Sequence, residues 1–168
     1  MVSIIPATEN YIPRILEIEQ EAISPPWTHG ALLSEIYKKD SYFVVAVEDC
    51  ASSVIDIDDN ASPAVYNAAY PAVFGFAVLR RVGDDGELLQ IAVDKSHRHG
   101  GVGDLLMMAV LEHARENTLG SIFLEVRRGN DAAVGLYKKH GFSSVRIRKN
   151  YYSDPVEDAS IMVKPLAD

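Results

Sequence analysis

Apolar residues recur along this chain in two rhythms, and the changes of rhythm divide it into short elements. Ser3 to Pro6 predicts a short strand. Tyr11, Ile15, Ile18 and Ala22 then fall at helical spacing behind Thr8, a residue able to cap, and Pro25 and Pro26 end that helix. Thr28 is placed to cap a second helix carrying Leu32, Leu33 and Ile36, and Tyr42 to Val47 follows as a buried strand. Residues 49–71 shift to Ala, Ser, Asp and Asn with no sustained period, the pattern expected of a flexible insertion. Val73 to Val82 and Glu87 to Val93 predict a hairpin about an Asp84-Asp85-Gly86 turn, and Gly75 suits its strand only if another backbone comes close.

Val102, Leu105, Leu106, Ala109, Val110 and Ala114 mark one face of a helix ending near Gly120, with Ser121 to Val126 the next strand. Ala132 to His140 reads as a short helix headed by Asn130 or Asp131 and stopped by Gly141. Ser144 to Tyr151 and Ala159 to Val163 complete the pattern as an antiparallel pair. Strands and helices interleaved in this order predict one α/β domain over residues 1–168.

Composition narrows the function. The 168 residues are 48% hydrophobic and 24% charged, enough to bury a sizeable core without disulfides. Sixteen Lys and Arg against 24 Asp and Glu give a net charge of -8, which disfavours direct nucleic-acid binding and suits a basic peptide or polyamine, with solubility alone as the competing reading; Asp154, Glu157 and Asp158 lie beside the last strand pair. Cys50 is the one cysteine, so a reducing, cytoplasmic setting is expected. No run of about 18 apolar residues occurs, so neither a membrane span nor secretion is expected. The five histidines form no HExxH pattern and have no cysteine set beside them, and GxSxG is absent, which argues against a metal site and against serine hydrolysis.

Arg98-His99-Gly100-Gly101-Val102-Gly103 lies between a strand and the strongest amphipathic helix. Glycines there let backbone N–H groups converge at a helix N-terminus, where the macrodipole favours a pyrophosphate, and Arg98 can add a charged contact. A plain flexible loop with a helix cap is the competing reading. A mononucleotide loop needs Lys and Ser or Thr after its last glycine, but Asp104 and Leu105 stand there. A dinucleotide fold is closer, with Glu125 ending the next strand, yet Leu106 fills its third glycine position and no second half follows.

Arg98-x-x-Gly101-x-Gly103 after the strand Leu89 to Val93 resembles the acetyl-CoA signature of the GNAT N-acetyltransferase superfamily. The likeness continues in Leu88-Leu89-Gln90-Ile91-Ala92-Val93, Leu124-Glu125-Val126-Arg127, Asn130 with Leu136-Tyr137, Gly141-Phe142 and Arg148-Lys149-Asn150-Tyr151-Tyr152. Together these resemble the RimI family, which acetylates the N-terminal alanine of a small-subunit ribosomal protein. The resemblance implies a single GNAT-type α/β (α+β) domain with a mixed, mostly antiparallel central sheet flanked by helices. It implies acetyl-CoA as co-substrate, no metal, and a basic ribosomal-protein N-terminus as acceptor, attacked directly through a tetrahedral intermediate.

Carried over residue by residue, Ile91, Ala92 and Val93 would meet the acetyl carbonyl and pantetheine arm. Arg98, His99, Gly100, Gly101, Val102, Gly103 and Asp104 would hold the pyrophosphate, with Asn130 near the pantetheine. Glu125 would be the general base and Tyr137 the general acid. Their chemistry suits the roles, because an α-amine of pKa about 7.7 to 8.0 must lose a proton before it attacks a thioester, and the departing thiolate gains from a nearby phenol. Each residue also has a plainer reading. Glu125 could pair with Arg127 or Arg128, and Tyr137 could be core. Trp27 is either a core plug or a wall of the acceptor site. Tyr151 and Tyr152 alternate in a regular strand, so one of them is expected to line the acceptor groove. Two other functions stay open: a GNAT enzyme acting on a small amine or a lysine, and a non-catalytic CoA- or dinucleotide-binding module.

Overall fold

The structure is a computed structural model and describes residues 1–23, 25–48 and 71–166. The expected insertion at 49–71, apart from Pro71, lies outside the described residues. The elements run β1 (Val2–Pro6), α1 (Ile12–Ala22), α2 (His29–Ile36), β2 (Ser41–Glu48), β3 (Val73–Val82), β4 (Asp85–Val93), α3 (Val102–Glu116), β5 (Ser121–Arg127), α4 (Asp131–Lys139), β6 (Ser143–Ser153) and β7 (Val156–Pro165). Among the described residues no helix is long and apolar enough to cross a membrane.

Local chemistry accounts for most boundaries. Thr28 Oγ1 accepts the Ala31 N–H at 3.2 Å and Asn130 Oδ1 accepts the Ala133 N–H at 3.1 Å, so both expected caps form. Thr8 does not cap. A short 3-10 turn, Glu9–Tyr11, follows it, and α1 starts at Ile12 with Pro13 in its first turn, where a missing N–H costs nothing. The hairpin turn also differs from the expected Asp84-Asp85-Gly86. Val82 pairs with Asp85, and Gly83 takes the positive φ of +64° that a two-residue turn needs at its first position. Gly75 meets the condition set by its place in a strand, since a Cβ there would lie 2.6 Å from the Ala92 carbonyl oxygen.

Seven strands form one sheet in the order β1-β2-β3-β4-β5-β7-β6, in which β4 and β5 are parallel and the other neighbours antiparallel. One parallel pair bridged by α3 leaves no doubly wound sheet, which removes the dinucleotide fold. Helices cover both faces. Val44, Ala46, Ala77, Ile122 and Leu124 pack under Leu106, Met107 and Val110 of α3, while Phe43, Val45, Phe76 and Val78 pack under Ile12, Ile15 and Ile18 of α1 and Leu32 of α2. Strand β2 therefore buries both its faces, as its unbroken apolar run requires.

Two irregularities in β4 open the sheet on one side. Its pairing with β5 is confined to Gly86 with Ile122 and Glu87 with Phe123, after which the strands diverge. Against β3 the register skips Leu89, a bulge that turns both Leu89 and Gln90 toward α1 and swings the strand away from β5.

Candidate functional site

The divergence of β4 from β5 opens a wedge through the sheet, and two clefts meet in it. One, about 430 Å³, is lined by the 87–91 stretch of β4, by Glu125, Val126 and Arg127 of β5, and by Trp27, Asn130, Tyr137, Tyr151 and Tyr152. The other, about 550 Å³, is lined by Ile91, Ala92, Val93, His97, Arg98, His99, Gly101, Gly103, Asp104 and Asn130 among others. Ala22, Ile91, Asn130 and Ala133 border both, so they form one path across the sheet.

The wedge explains how Glu125 and Tyr137 come to line the same cleft. Along β5 the buried residues Ile122, Leu124 and Val126 point under α3 and α4, so Glu125 faces the α1 side. Tyr137 belongs to α4, on the opposite face. A continuous sheet would keep them apart. The phenol is buried, with its ring 5.9 Å from that of Phe142, and burial, with Tyr152 close by, pushes it well above the ordinary tyrosine value, so it stays protonated at neutral pH. Glu125 pairs with neither Arg127 nor Arg128. Arg148 Nη1 of β6 donates to its Oε1, while Arg127 bonds Glu157 at 3.2 Å and Arg128 approaches Asp158 at 3.9 Å.

The glycine-loop cleft is built from backbone. His99 and Gly101 have φ of +63° and +84°, a left-handed pair about Gly100 that gathers successive N–H groups at the start of the 15-residue helix α3. Gly101 suits this conformation through its φ of +84° and not through lack of room, since a Cβ there would meet nothing within 4 Å. At Gly103 a Cβ would make only ordinary van der Waals contact, 3.4 Å from Leu136 Cδ2, so packing alone does not demand glycine there. Gly101 thus has a reason within the protein besides clearance for a ligand. Gly100 and Val102 do not line the cleft, and Val102 is buried in the core. Arg98 Nε donates to the Val93 carbonyl at 3.1 Å, laying its guanidinium across the end of β4.

Asp104 lines the cleft as expected, but its carboxylate is held by Lys139 at 2.7 Å and His140 at 2.8 Å. Those two partners, Lys139 first, pull its pKa down and offset a charge that would otherwise repel a phosphate. Below the loop, Asp94 is buried and bound by Ser96, by His97 at 2.6 Å and by Arg14 of α1 at 2.9 Å, which hold it far below the carboxylate range. His97 also stacks on Phe74 with centroids 4.0 Å apart. The loop therefore rests on a fixed base.

Tyr151 and Tyr152 both line the cleft that holds Glu125 and Tyr137, where alternation predicted one. The reason is a bulge. Arg148 pairs with Ala159 and Tyr152 with Glu157, so three residues of β6 oppose Asp158 alone, and Asn150 sits at φ +52°. The rings meet edge to face at 5.1 Å, with the Arg127 guanidinium 4.2 Å over Tyr152. Glu157 and Asp158, expected to attract a peptide, are committed to the turn, where Glu157 accepts the Gly129 N–H at 2.6 Å and Asp158 the Asn150 N–H at 2.9 Å.

Trp27 is half-buried against the α1 core and also lines the cleft, so it is both plug and wall. Its backbone N–H donates to Oε2 of Glu19 at 2.8 Å, and Gln90 lies near the same carboxylate. Glu19 is fully buried, and burial pushes its pKa up against the opposing pull of these two neighbours. Sequence reasoning passed over it, although its place one turn beyond Ile15 on the apolar stripe was a signal.

The amides of the loop, the open edge of β4 and the offset of Asp104 fit an acetyl-CoA that runs from phosphate to thioester along this path. Comparison with known proteins agrees. Residues 12–142 match the family model described as the acetyltransferase (GNAT) family. A Haemophilus influenzae protein named ribosomal protein bS18-alanine N-acetyltransferase is 32% identical over 142 residues, 84% of this chain and 82% of its own. A Salmonella typhimurium protein of the same name is 29% identical over 168 residues, 99% of this chain and 97% of its own. The crystal structure of the Escherichia coli ribosomal-protein-S18-alanine N-acetyltransferase superposes with a TM-score of 0.80 at 26% identity, covering 100% of this chain and 96% of that one. With most of its length matched in sequence and all of it in fold, this chain belongs to the acetyltransferase (GNAT) family, enzymes that draw their acetyl group from acetyl-CoA.

Proposed function

We propose that this chain is a single N-acetyltransferase domain that acetylates the N-terminal α-amine of a ribosomal protein, alanine first, in the cytoplasm. The observation that carries the chemistry is the wedge between β4 and β5, which lets a carboxylate from one face of the sheet and a protonated phenol from the other line one cleft. The names borne by relatives similar over most of the chain support the acceptor.

Acetyl-CoA supplies the acetyl group as an activated thioester. The loop from Arg98 to Asp104 holds its pyrophosphate with backbone N–H groups and the α3 N-terminus, while Asn130, at the junction of the clefts, borders the pantetheine. Ile91, Ala92 and Val93 lie beyond the last β5 partner, so their strand edge is available to the acetyl carbonyl. Glu125 takes the proton of the acceptor amine, directly or through a water, and Tyr137 returns one to the departing thiolate. Trp27, Tyr151 and Tyr152 wall the acceptor. No covalent enzyme intermediate is needed.

A panel of peptides and amines, read by thiol release from acetyl-CoA, tests the acceptor. A free N-terminal alanine on a basic peptide is expected to give the highest kcat/KM, and blocking that amine should abolish turnover even with lysines present. Preference for a blocked, lysine-bearing peptide or for a small amine would overturn the assignment.

A further inference from the structure

Arg148 lies outside the roles assigned so far, yet its guanidinium meets the carboxylate proposed as the base. It donates through Nη1 to Glu125 Oε1, and its carbon lies 5.4 Å from the centre of the Tyr151 ring. The Tyr151 phenol lies close enough to Glu125 for that carboxylate to be the chief cause of its raised pKa. Glu125 is therefore held by Arg148 with Tyr151 beside it, both residues of β6, although β7 lies between that strand and β5.

The backbone of β6 is shaped for this. In a regular strand residues 148 and 151 point to opposite faces. Here the bulge after Arg148, with Asn150 at positive φ and its N–H fixed by Asp158, brings Arg148 and Tyr151 to the same carboxylate. The Arg148 side chain is 46% exposed, and ion pairs that exposed contribute little to stability. Fold stability leaves the arrangement unexplained, whereas orientation explains it: a glutamate has free rotors, and proton transfer needs its oxygen at one place.

We propose that Arg148 is a positioning residue which, with Tyr151, fixes the Glu125 carboxylate for proton transfer from the acceptor amine. The inference rests on Glu125 being the base. The planar fork of Arg148 suits the task better than a lysine, which is a point charge on a flexible stem.

The test is a double-mutant cycle of Arg148→Met and Glu125→Gln, with Arg148→Lys alongside, each confirmed folded by its melting curve and by acetyl-CoA binding. Arg148→Met is expected to lower kcat on the order of 10-fold, with the KM for acetyl-CoA unchanged within about twofold. Arg148→Lys should recover part of the loss. If Arg148 acts through Glu125, adding Arg148→Met to Glu125→Gln should change the rate no further. The same loss in both backgrounds, or no loss in the parent, overturns the proposal while leaving the base in place. Full activity in Glu125→Gln removes the base and this role together.

Discussion

Around the glycine loop, the groups lining the cleft come mainly from one stretch, 91–104, and much of what they offer is backbone. Across the wedge, the second cleft gathers, beside the 87–91 stretch of β4, residues scattered along the chain: Trp27, Glu125, Asn130, Tyr137 and the Tyr151-Tyr152 pair. The first half depends on the local path of the chain, because amides and a helix terminus recognise a pyrophosphate without any particular side chain beyond glycine. The second depends on strand order, on two bulges and on the parting of β4 from β5. Substitutions in the two halves should therefore fail in different ways.

The largest effect is expected at Glu125. Glu125→Gln keeps the shape and removes the proposed base, and general base catalysis is commonly worth about 100 to 10,000-fold, so kcat should fall by that order while acetyl-CoA binding is kept. Tyr137→Phe should cost less, about 100-fold in kcat, because the thiolate can find a proton from water. A thioester with a more acidic thiol should restore part of that rate, and a loss that ignores the leaving group would assign Tyr137 to packing. In the other half, Gly101→Val forces a β-branched residue into the left-handed region, a strain of about 1–2 kcal/mol, so the loop should deform and acetyl-CoA affinity should drop about 10-fold by calorimetry. Unchanged affinity in a folded Gly101→Val protein would detach the loop from the pyrophosphate.

The same contrast decides what could be read from sequence. The Thr28 and Asn130 caps and the turn conformation at Gly101 are local signals, and each holds in the structure. Of the expected α3 stripe Val102, Leu106, Val110 and Ala114 are buried, whereas Leu105 is exposed and Met107 and Leu111 take core places instead, because the buried face is rotated from the expected one. The resemblance named Glu125 and Tyr137, but periodicity alone could not bring them together, because one lies on a strand and the other on a helix against the opposite face. The Tyr151-Tyr152 alternation failed at a bulge stabilised by Asp158, a contact across strands that no pattern along β6 announces. For the same reason Arg148, rather than the neighbouring Arg127 or Arg128, became the partner of Glu125: strand order puts β7 between β5 and β6 and brings β6 residues within reach. Thr8 lost its cap to Pro13, whose preference for the first turn set the start of α1.

The central claim is that the wedge delivers Glu125 to the acceptor amine as its base, and the pH dependence of kcat/KM in the Glu125→Gln protein tests it most directly. With the carboxylate gone, the amine must be deprotonated by solvent, so the residual rate should climb as pH passes the amine pKa near about 8, more steeply than in the parent enzyme. A Glu125→Gln protein that retains the parent's rate and pH profile would contradict the claim and leave Glu125 as the structural partner of Arg148.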